Sequence, residues 1–272
     1  MPPCWLMKAE PDSRIDPRTG VDVKFGLDDF RASKDQTTSW EGVRNAEAGK
    51  HMRERMKLGD RVLFYASNTK VPGVSALAKI VKEGYPDHSA WDPKHPYYDA
   101  KSSADAPRWF MVDVQFVSEL PHFVPLALLQ DIAALPAKDA RRNDIDYLSD
   151  AHLEALKTMQ LLTRGRLSVQ PVEQTAYDAV ELLGTRGGWT QWVGKWNAGK
   201  GKGKATKSVK AEEDEGESAP APKRRKAAES EQKPAIVKRE PAAPRSKAPG
   251  KPAANETATS SGLRRSSRNA SK

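Results

Sequence analysis

Apolar and polar residues alternate in short stretches along the first 120 residues of the chain. Near residue 110, one side of an extended chain would collect Phe110, Val112, Val114 and Phe116. Runs of this kind, bounded by turn-forming residues, are typical of β-strands. They predict strands at Cys4–Lys8, Arg61–Ala66, Gly73–Val81 and Trp109–Val117.

Other segments repeat their apolar residues every three to four positions, which is the period of a helix. Ala48, Met52 and Met56 predict an amphipathic helix within residues 44–56. A brief helical or turn element is predicted over residues 25–30. A short helix is predicted from Pro125 to Ile132, because proline is favoured in the first turn of a helix.

The pattern continues with a helix, a strand and a closing helix. Ser149 or Asp150 is predicted to cap the first of these helices. A final strand is predicted over Arg166–Gln170, closed by Pro171. The closing helix carries three apolar residues at helical spacing, and Gly184 is predicted as its C-cap. These three residues are Ala176, Val180 and Leu183.

The order of these elements indicates the fold class. Strands interleaved with short helices do not give the regular alternation of a parallel, doubly wound sheet. The pattern favours an α+β fold in which a mixed sheet curls into a small barrel. A long loop over residues 85–107 separates two of the predicted strands. Loops of this length in a compact domain are usually functional or mobile.

Composition divides the chain in two. All 7 Trp, 6 Tyr and 6 Phe lie at or before Trp196, and the remainder has almost no large apolar residue. That remainder cannot bury enough apolar surface to offset the entropy lost on ordering. We therefore predict one folded domain over residues 1–196 and a disordered basic tail over residues 197–272.

Charge follows the same division. Of 45 Lys and Arg, 19 lie from residue 197 onward, with 9 of the 36 Asp and Glu, so the tail has a balance of +10. The remaining 26 basic and 27 acidic residues give the domain a balance of −1. Attraction to phosphates that is independent of sequence therefore resides mainly in the tail. Specificity in the domain would have to come from a pocket.

Several protein classes are excluded or disfavoured. The chain has no Gly-x-Ser-x-Gly elbow, phosphate loop or His-Glu-x-x-His motif, so catalytic residues and cofactors are not expected. Cys4 is the only cysteine, which excludes a thiolate zinc cluster and an intrachain disulfide. His88 and His95 lie among aspartates but lack a third soft ligand, so no metal is expected. With no signal peptide and no apolar run of membrane length, we expect an intracellular protein without membrane contact.

Aromatic and basic residues occur at the ends of the predicted elements, where the mouth of a pocket is usually built. A nucleobase outside its stack needs a flat aromatic partner and several hydrogen bonds to its edge. The clusters offer both, although Trp and Tyr beside strands more often belong to the core. The clusters are Trp5 with Lys8, Trp40 with Arg44 and Asn45, Tyr65 with Ser67 and Asn68, and Arg164 with Ser168.

Several of these clusters belong to longer segments that occur in a known order and spacing. They include Trp5-Leu6-Met7-Lys8-Ala9-Glu10-Pro11, Trp40-Glu41-Gly42-Val43-Arg44-Asn45, Met56-Lys57-Leu58-Gly59-Asp60, Phe64-Tyr65-Ala66-Ser67-Asn68, Pro72-Gly73-Val74 and the segment Arg164-Gly165-Arg166-Leu167-Ser168-Val169-Gln170-Pro171. Together they resemble the EVE domain, over about residues 4–183. Ala9 and Ala66 depart from the more polar residues expected there. The segment 135–152 also looks longer than usual, which leaves that side of the pocket rim undefined.

The resemblance implies a PUA-like fold, a curled mixed sheet or pseudo-barrel flanked by short helices, related to YTH readers of methylated adenine and SRA readers of methylated cytosine. It implies binding of a modified base, with 5-substituted (oxidised or methylated) cytosine in DNA favoured over RNA. The alternatives are a reader of modified RNA and a nucleic-acid-processing enzyme such as a nuclease. Transferred by motif, the pocket residues are Trp5, Lys8, Trp40, Val43, Arg44, Asn45, Tyr65, Ser67, Asn68, Trp109, Arg164 and Ser168.

The tail has a signal of its own. Four consecutive basic residues, Lys223, Arg224, Arg225 and Lys226, follow a proline and are typical of a nuclear-import cluster. A solvated run of charge is the simpler alternative. We expect a nuclear protein, monomeric, whose partners are a modified nucleic acid and an import receptor that binds the tail.

Overall fold

The computed structural model describes residues 3–197, in which six strands form one mixed sheet. In chain order the strands are β1 (Cys4–Ala9), β2 (Thr37–Ser39), β3 (Arg61–Ala66), β4 (Gly73–Pro86), β5 (Phe110–Pro125) and β6 (Val169–Val172). Their order across the sheet is β2-β5-β4-β3-β1-β6. Only β1 and β3 run parallel, and the other neighbours are antiparallel. The predicted import cluster lies outside the described residues.

Short helices flank the sheet. They are α1 (Leu27–Ala32), α2 (Ala46–Lys50), α3 (Leu126–Ala133), α4 (Asp150–Lys157), α5 (Gln160–Thr163) and α6 (Gln174–Arg186). A π-helical turn over His51–Arg55 extends α2. The predicted α+β fold, a mixed sheet with short helices, is confirmed. The sheet is open, because the described strands β2 and β6 are its two edges. Among residues 3–197, no helix has the length and apolarity needed to span a bilayer.

Both faces of the sheet are buried. Leu6 and Leu63 pack with the residues of α3 to α6 on one face. Met7 and Phe64 pack with α1 and α2 on the other. Strands that are covered on both sides need apolar residues at successive positions. This requirement explains the continuous apolar runs in β1 and β3.

Several boundaries differ from the predictions. Strands β4 and β5 have 14 and 16 residues and extend beyond the predicted segments. Their extensions carry exposed polar residues such as Glu83 and Glu119, although Leu120 and Val124 of β5 still belong to the core. Strand β2 and helix α5 were not predicted, since three and four residues are too few to show a period. Ser149 is confirmed as the N-cap of α4, with its hydroxyl accepting from the His152 amide.

Two predictions about where elements end were wrong, one for the last strand and one for the closing helix. Pro171 does not close the last strand but lies inside β6, opposite Trp5. A proline is tolerated there because β6 is an edge strand and needs no second ladder of hydrogen bonds. Gly184 is not the C-cap of α6 but lies buried in it, where an added Cβ would stand 2.6 Å from the Leu120 side chain. The C-cap is Gly187, whose φ of 69° suits a glycine.

Candidate functional site

A cleft of about 540 Å³ opens beside the C-terminal end of β1. Three segments enclose it: the chain from Lys8 to Phe25, the loop over residues 38–44 and the part of the long loop over residues 92–97. Ser168, which precedes β6, completes the lining. The volume falls in the range of pockets that bind small organic ligands.

The indole of Trp40 forms the aromatic wall of the cleft. Its backbone amide donates to the Val112 carbonyl at 2.8 Å, which fixes the loop against β5. Its ring meets Phe25 edge-on at 6.2 Å and Phe64 edge-on at 5.9 Å between ring centres. Only 7% of the residue is exposed. Trp40 is therefore part of the core and part of the cleft at once.

Tyr97, from the long loop, forms a second aromatic surface. It packs on Gly42 so closely that an added Cβ would lie 2.3 Å from the tyrosine ring. Gly42 also has a φ of 79°, which favours glycine. The loop over residues 38–44 and the long loop can meet only because this position has no side chain.

Substituting Gly42 by alanine is expected to lower the free energy of unfolding by about 2–4 kcal/mol, since backbone strain and overpacking add at this position. The measurement is chemical denaturation monitored by fluorescence. Gly59→Ala is the matched control, because Gly59 has a φ of 86° but no atom within 4 Å of an added Cβ. Equal losses in both variants would show that the contact with Tyr97 contributes nothing.

Arg44 and Asp87 hold the cleft loops together. The guanidinium of Arg44 donates to Asp87 at 2.7 Å, to the Tyr97 carbonyl at 2.7 Å and to the Ser89 hydroxyl at 3.1 Å. Asp87, which is fully buried, also accepts from the Gly42 amide at 2.9 Å. Burial alone raises the pKa of Asp87, but the hydrogen bonds from Arg44, Ser89 and Gly42 outweigh it and hold this pKa below its ordinary value.

Lys8 lies at the floor of the cleft, near the end of β1. Its amide donates to the Ser168 carbonyl at 3.0 Å, and its ammonium donates to the Gly165 carbonyl at 2.8 Å. The ammonium also stands 5.5 Å from the centre of the Tyr65 ring. Burial lowers the pKa of Lys8. Since Lys8 and Tyr65 are register partners, the Lys8 side chain lies on the Tyr65 face of the sheet.

Five of the twelve predicted pocket residues line the cleft: Lys8, Trp40, Val43, Arg44 and Ser168. Trp5 and Tyr65 do not. Trp5 is 1% exposed and its indole donates to Asp60 at 2.8 Å. Tyr65 is buried on the opposite face of the sheet, where burial raises its pKa to about 12. The structure therefore places these two rings in the core, because both project from strands that are covered on both faces.

Three polar residues among the predictions stabilise local structure outside the cleft. Asn45 caps α2 by accepting from the amides of the next turn, at 3.0 and 3.1 Å. The Ser67 hydroxyl donates to the Ala9 carbonyl at 2.9 Å. Asn68 adopts a left-handed turn with a φ of 52°. Each is a frequent structural use of its residue type.

Trp109 and Arg164 also lie outside the cleft lining. The Trp109 indole donates to Asp99 at 2.7 Å, and its ring lies 5.7 Å from the Arg44 guanidinium, so it supports a cleft residue from behind. Arg164 forms a two-pronged ion pair with Glu47 at 2.5 and 2.6 Å. Trp109 thus reaches the site through Arg44, whereas Arg164 joins two surface segments.

Sequence reasoning missed the cleft residues of two segments. Tyr97 and His95 lie in the long loop, and the length of that loop was the only signal for them. Arg14 belongs to a stretch without clear periodicity. Glu10 and Phe25 flank that stretch, in a motif and in a predicted element, but neither pattern indicated a cleft. His95 pairs with Glu41 at 3.2 Å and Arg14 with Glu10 at 2.7 Å. These pairs line the cleft with both donors and acceptors.

A metal ion does not fit the side chains at this site. Ligand atoms of Glu41, Asp87 and His88 lie within 4.8 Å of one another. The Asp87 oxygens, however, already accept from Arg44, Ser89 and the Gly42 amide. A cation there would have to displace the guanidinium that holds the cleft loops together.

The open mixed sheet and its short helices define an α+β domain of the PUA-like type. The chain belongs to the EVE domain family, whose pattern matches residues 3–183. This match confirms the resemblance recognised in the sequence.

The chain is similar to thymocyte nuclear protein 1 from several vertebrates. It is 46% identical to the Homo sapiens protein over 179 residues, which cover 65% of this chain and 71% of that protein. It is also 46% identical to the Danio rerio protein over 182 residues, covering 65% and 69%. A crystal structure of human THYN1 protein in complex with 5-methylcytosine-containing DNA shares 45% identity and a TM-score of 0.58. The matched region covers 66% of this chain and 96% of the chain in that crystal structure.

Proposed function

We propose that this protein binds a modified base, most favourably a 5-substituted cytosine in DNA, in the cleft between Trp40 and Tyr97. The observation that supports it most directly is the combination of an aromatic wall with hydrogen-bonding groups in a cleft of about 540 Å³. The human relative crystallised with 5-methylcytosine-containing DNA favours DNA over RNA. A reader of modified RNA and a nuclease are the alternatives.

The size of the expected preference follows from simple energetics. Burying one methyl group contributes about 0.8 kcal/mol, or roughly a fourfold preference. A hydrogen bond to an oxidised substituent discriminates more strongly, since an unmatched base leaves a buried polar group unpaired. The cleft lining offers hydroxyls at Ser39 and Ser168 for such a bond. We therefore propose that oxidised cytosines bind more tightly than the methyl form.

The remaining parts of the proposal concern the cell. We propose a nuclear protein that binds as a monomer, with the basic tail attracting phosphates and an import receptor. The name of the relatives, thymocyte nuclear protein 1, supports the compartment. We propose binding without turnover, since the cleft offers no nucleophile paired with a base among its lining residues.

A titration of the full chain tests the proposal. The ligands are oligonucleotides of one sequence that carry cytosine, 5-methylcytosine or 5-hydroxymethylcytosine at one position, as DNA and as RNA. We expect the order hydroxymethyl, methyl, unmodified, with about a fourfold step for the methyl group and a larger one for the hydroxyl. Because the tail binds all these ligands alike, the ratios report the cleft.

Three results would contradict parts of this proposal. Equal affinity for all three bases would exclude modified-base recognition in the cleft. Equal affinity for the methyl and hydroxymethyl forms would exclude the hydrogen bond to the oxidised group. A cleaved or altered oligonucleotide after incubation would favour the nuclease alternative.

A further inference from the structure

A small hairpin forms one lip of the cleft. Ile15 and Asp22 form its β-bridge, and the amide of Val23 donates to the Arg14 carbonyl at 3.0 Å. The cleft lining includes several of its residues, among them Val21. The hairpin lies in the stretch that sequence periodicity left unassigned.

The hairpin is held in one shape by its own polar side chains. Asp16 accepts from the Thr19 amide at 2.9 Å and from the Thr19 hydroxyl at 2.8 Å. Asp22 accepts from the Ser13 hydroxyl at 2.7 Å. The Arg18 guanidinium donates to the carbonyls of Pro93 and His95, on the opposite lip of the cleft. The tip is therefore braced against the other lip.

The two residues that flank the turn of the hairpin nevertheless expose apolar side chains. Ile15 is 57% exposed and Val21 is 45% exposed. Among the described residues only six large apolar residues are exposed, and a third one near the cleft is Tyr98, in the facing loop. A braced structure that holds apolar side chains in water, beside a cleft, is suited to contact an apolar surface.

We propose that this hairpin is a wedge that enters the base stack of a DNA duplex and fills the space left by the base held in the cleft. The inference rests on the proposed function, because a paired base can reach the cleft only by leaving its stack. Proteins that open base steps commonly insert aliphatic side chains between them, which offsets part of the unstacking cost. Val21 supplies such a side chain at the cleft, and Ile15 supplies another on the same hairpin.

The wedge makes a specific prediction about substrate form. It contributes where a base must be replaced in a duplex and contributes little where the base is already unpaired. Replacing Ile15, which does not line the cleft, by serine in the full chain is therefore expected to weaken binding to a duplex with one 5-methylcytosine about tenfold. Binding to the same strand without its complement is expected to change less than about twofold.

A matched control removes the same kind of surface elsewhere. Leu58 and Val193 are 67% and 73% exposed and lie outside the cleft lining. Their double serine variant is expected to bind both substrates like the parent chain. Thermal melting of both variants checks that they are folded. A 2-aminopurine beside the modified base gives a second readout, since insertion unstacks it and raises its fluorescence.

The outcomes separate the wedge from the proposed function. Equal loss on duplex and single strand in the Ile15→Ser variant would overturn the wedge, because the hairpin would then only shape the cleft. Unchanged binding to both substrates would overturn it as well. If the parent chain does not prefer 5-methylcytosine in either form, the proposed function fails and the wedge fails with it.

Discussion

Asp87→Asn is expected to lower the free energy of unfolding by about 2–4 kcal/mol and to weaken binding of a modified-base oligonucleotide about tenfold. The carboxylate is fully buried and bonds to Arg44 at 2.7 Å and to the Gly42 amide at 2.9 Å. One carboxylate oxygen serves both donors, and the other accepts from the Ser89 amide and hydroxyl. An amide of the same shape can accept at only one of these two positions, and a guanidinium with little access to water loses its counter-charge. Asp87 does not line the cleft, and its effect on binding acts through the two loops it joins.

Denaturation curves and titrations of the same preparations measure the two effects. Asp99→Asn is the matched control, since Asp99 lies in the same loop and accepts from Trp109, but its side chain is 21% exposed. We expect a smaller loss of stability there and unchanged base preference. If Asp87→Asn shows the expected loss of stability but binds the oligonucleotide as tightly as the parent chain, the cleft does not depend on this ion pair.

The same carboxylate makes the domain sensitive to acid. Its pKa in the folded protein lies below the ordinary value of 3.8. The folded state therefore binds this proton less readily than the unfolded chain, and the pair contributes fully at pH values above about 4. Its contribution falls as the pH drops through the depressed pKa. The stability difference between the parent chain and Asp87→Asn should therefore shrink below about pH 4.

The sequence predicts the sheet better than the site. Strands β1 and β3 are recognisable because burial on both faces demands apolar residues at successive positions. The same burial misleads any search for a pocket, since it places Trp5 and Tyr65 in the core on opposite faces. An aromatic residue next to a polar one at a strand end has the same pattern whether it faces ligand or core.

The cleft itself depends on contacts that local patterns do not contain. Its lips come from residues 10–25 and 92–97, which meet through Arg18 and the backbone carbonyls of the long loop. Every residue has a backbone carbonyl, so the residue type at the accepting position does not reveal such a hydrogen bond. Gly42 was the one local clue, since a glycine between large residues indicates close approach or a positive φ. Its partner, Tyr97, is 55 positions away.

Trp40 marks the boundary between core and site, which makes it the most informative residue to change. Trp40→Leu keeps an apolar side chain in the core but removes the flat ring, so stacking on a base is lost. We expect the free energy of unfolding to fall by about 2–4 kcal/mol. Affinity for a modified-base oligonucleotide should fall by about 1–3 kcal/mol, which is roughly fivefold to 150-fold.

Trp5→Leu separates the two contributions. Trp5 belongs to the same core cluster and is also buried, at 1% exposure against 7% for Trp40, but it does not line the cleft. Its removal also takes a hydrogen bond from the buried Asp60, so the loss of stability should be at least as large as in Trp40→Leu. Base affinity, measured where both variants are fully folded, should nevertheless stay close to that of the parent chain. Because the two variants lose stability alike, a loss of affinity in Trp40→Leu alone would assign base stacking to the cleft wall, whereas equal losses would place the base elsewhere.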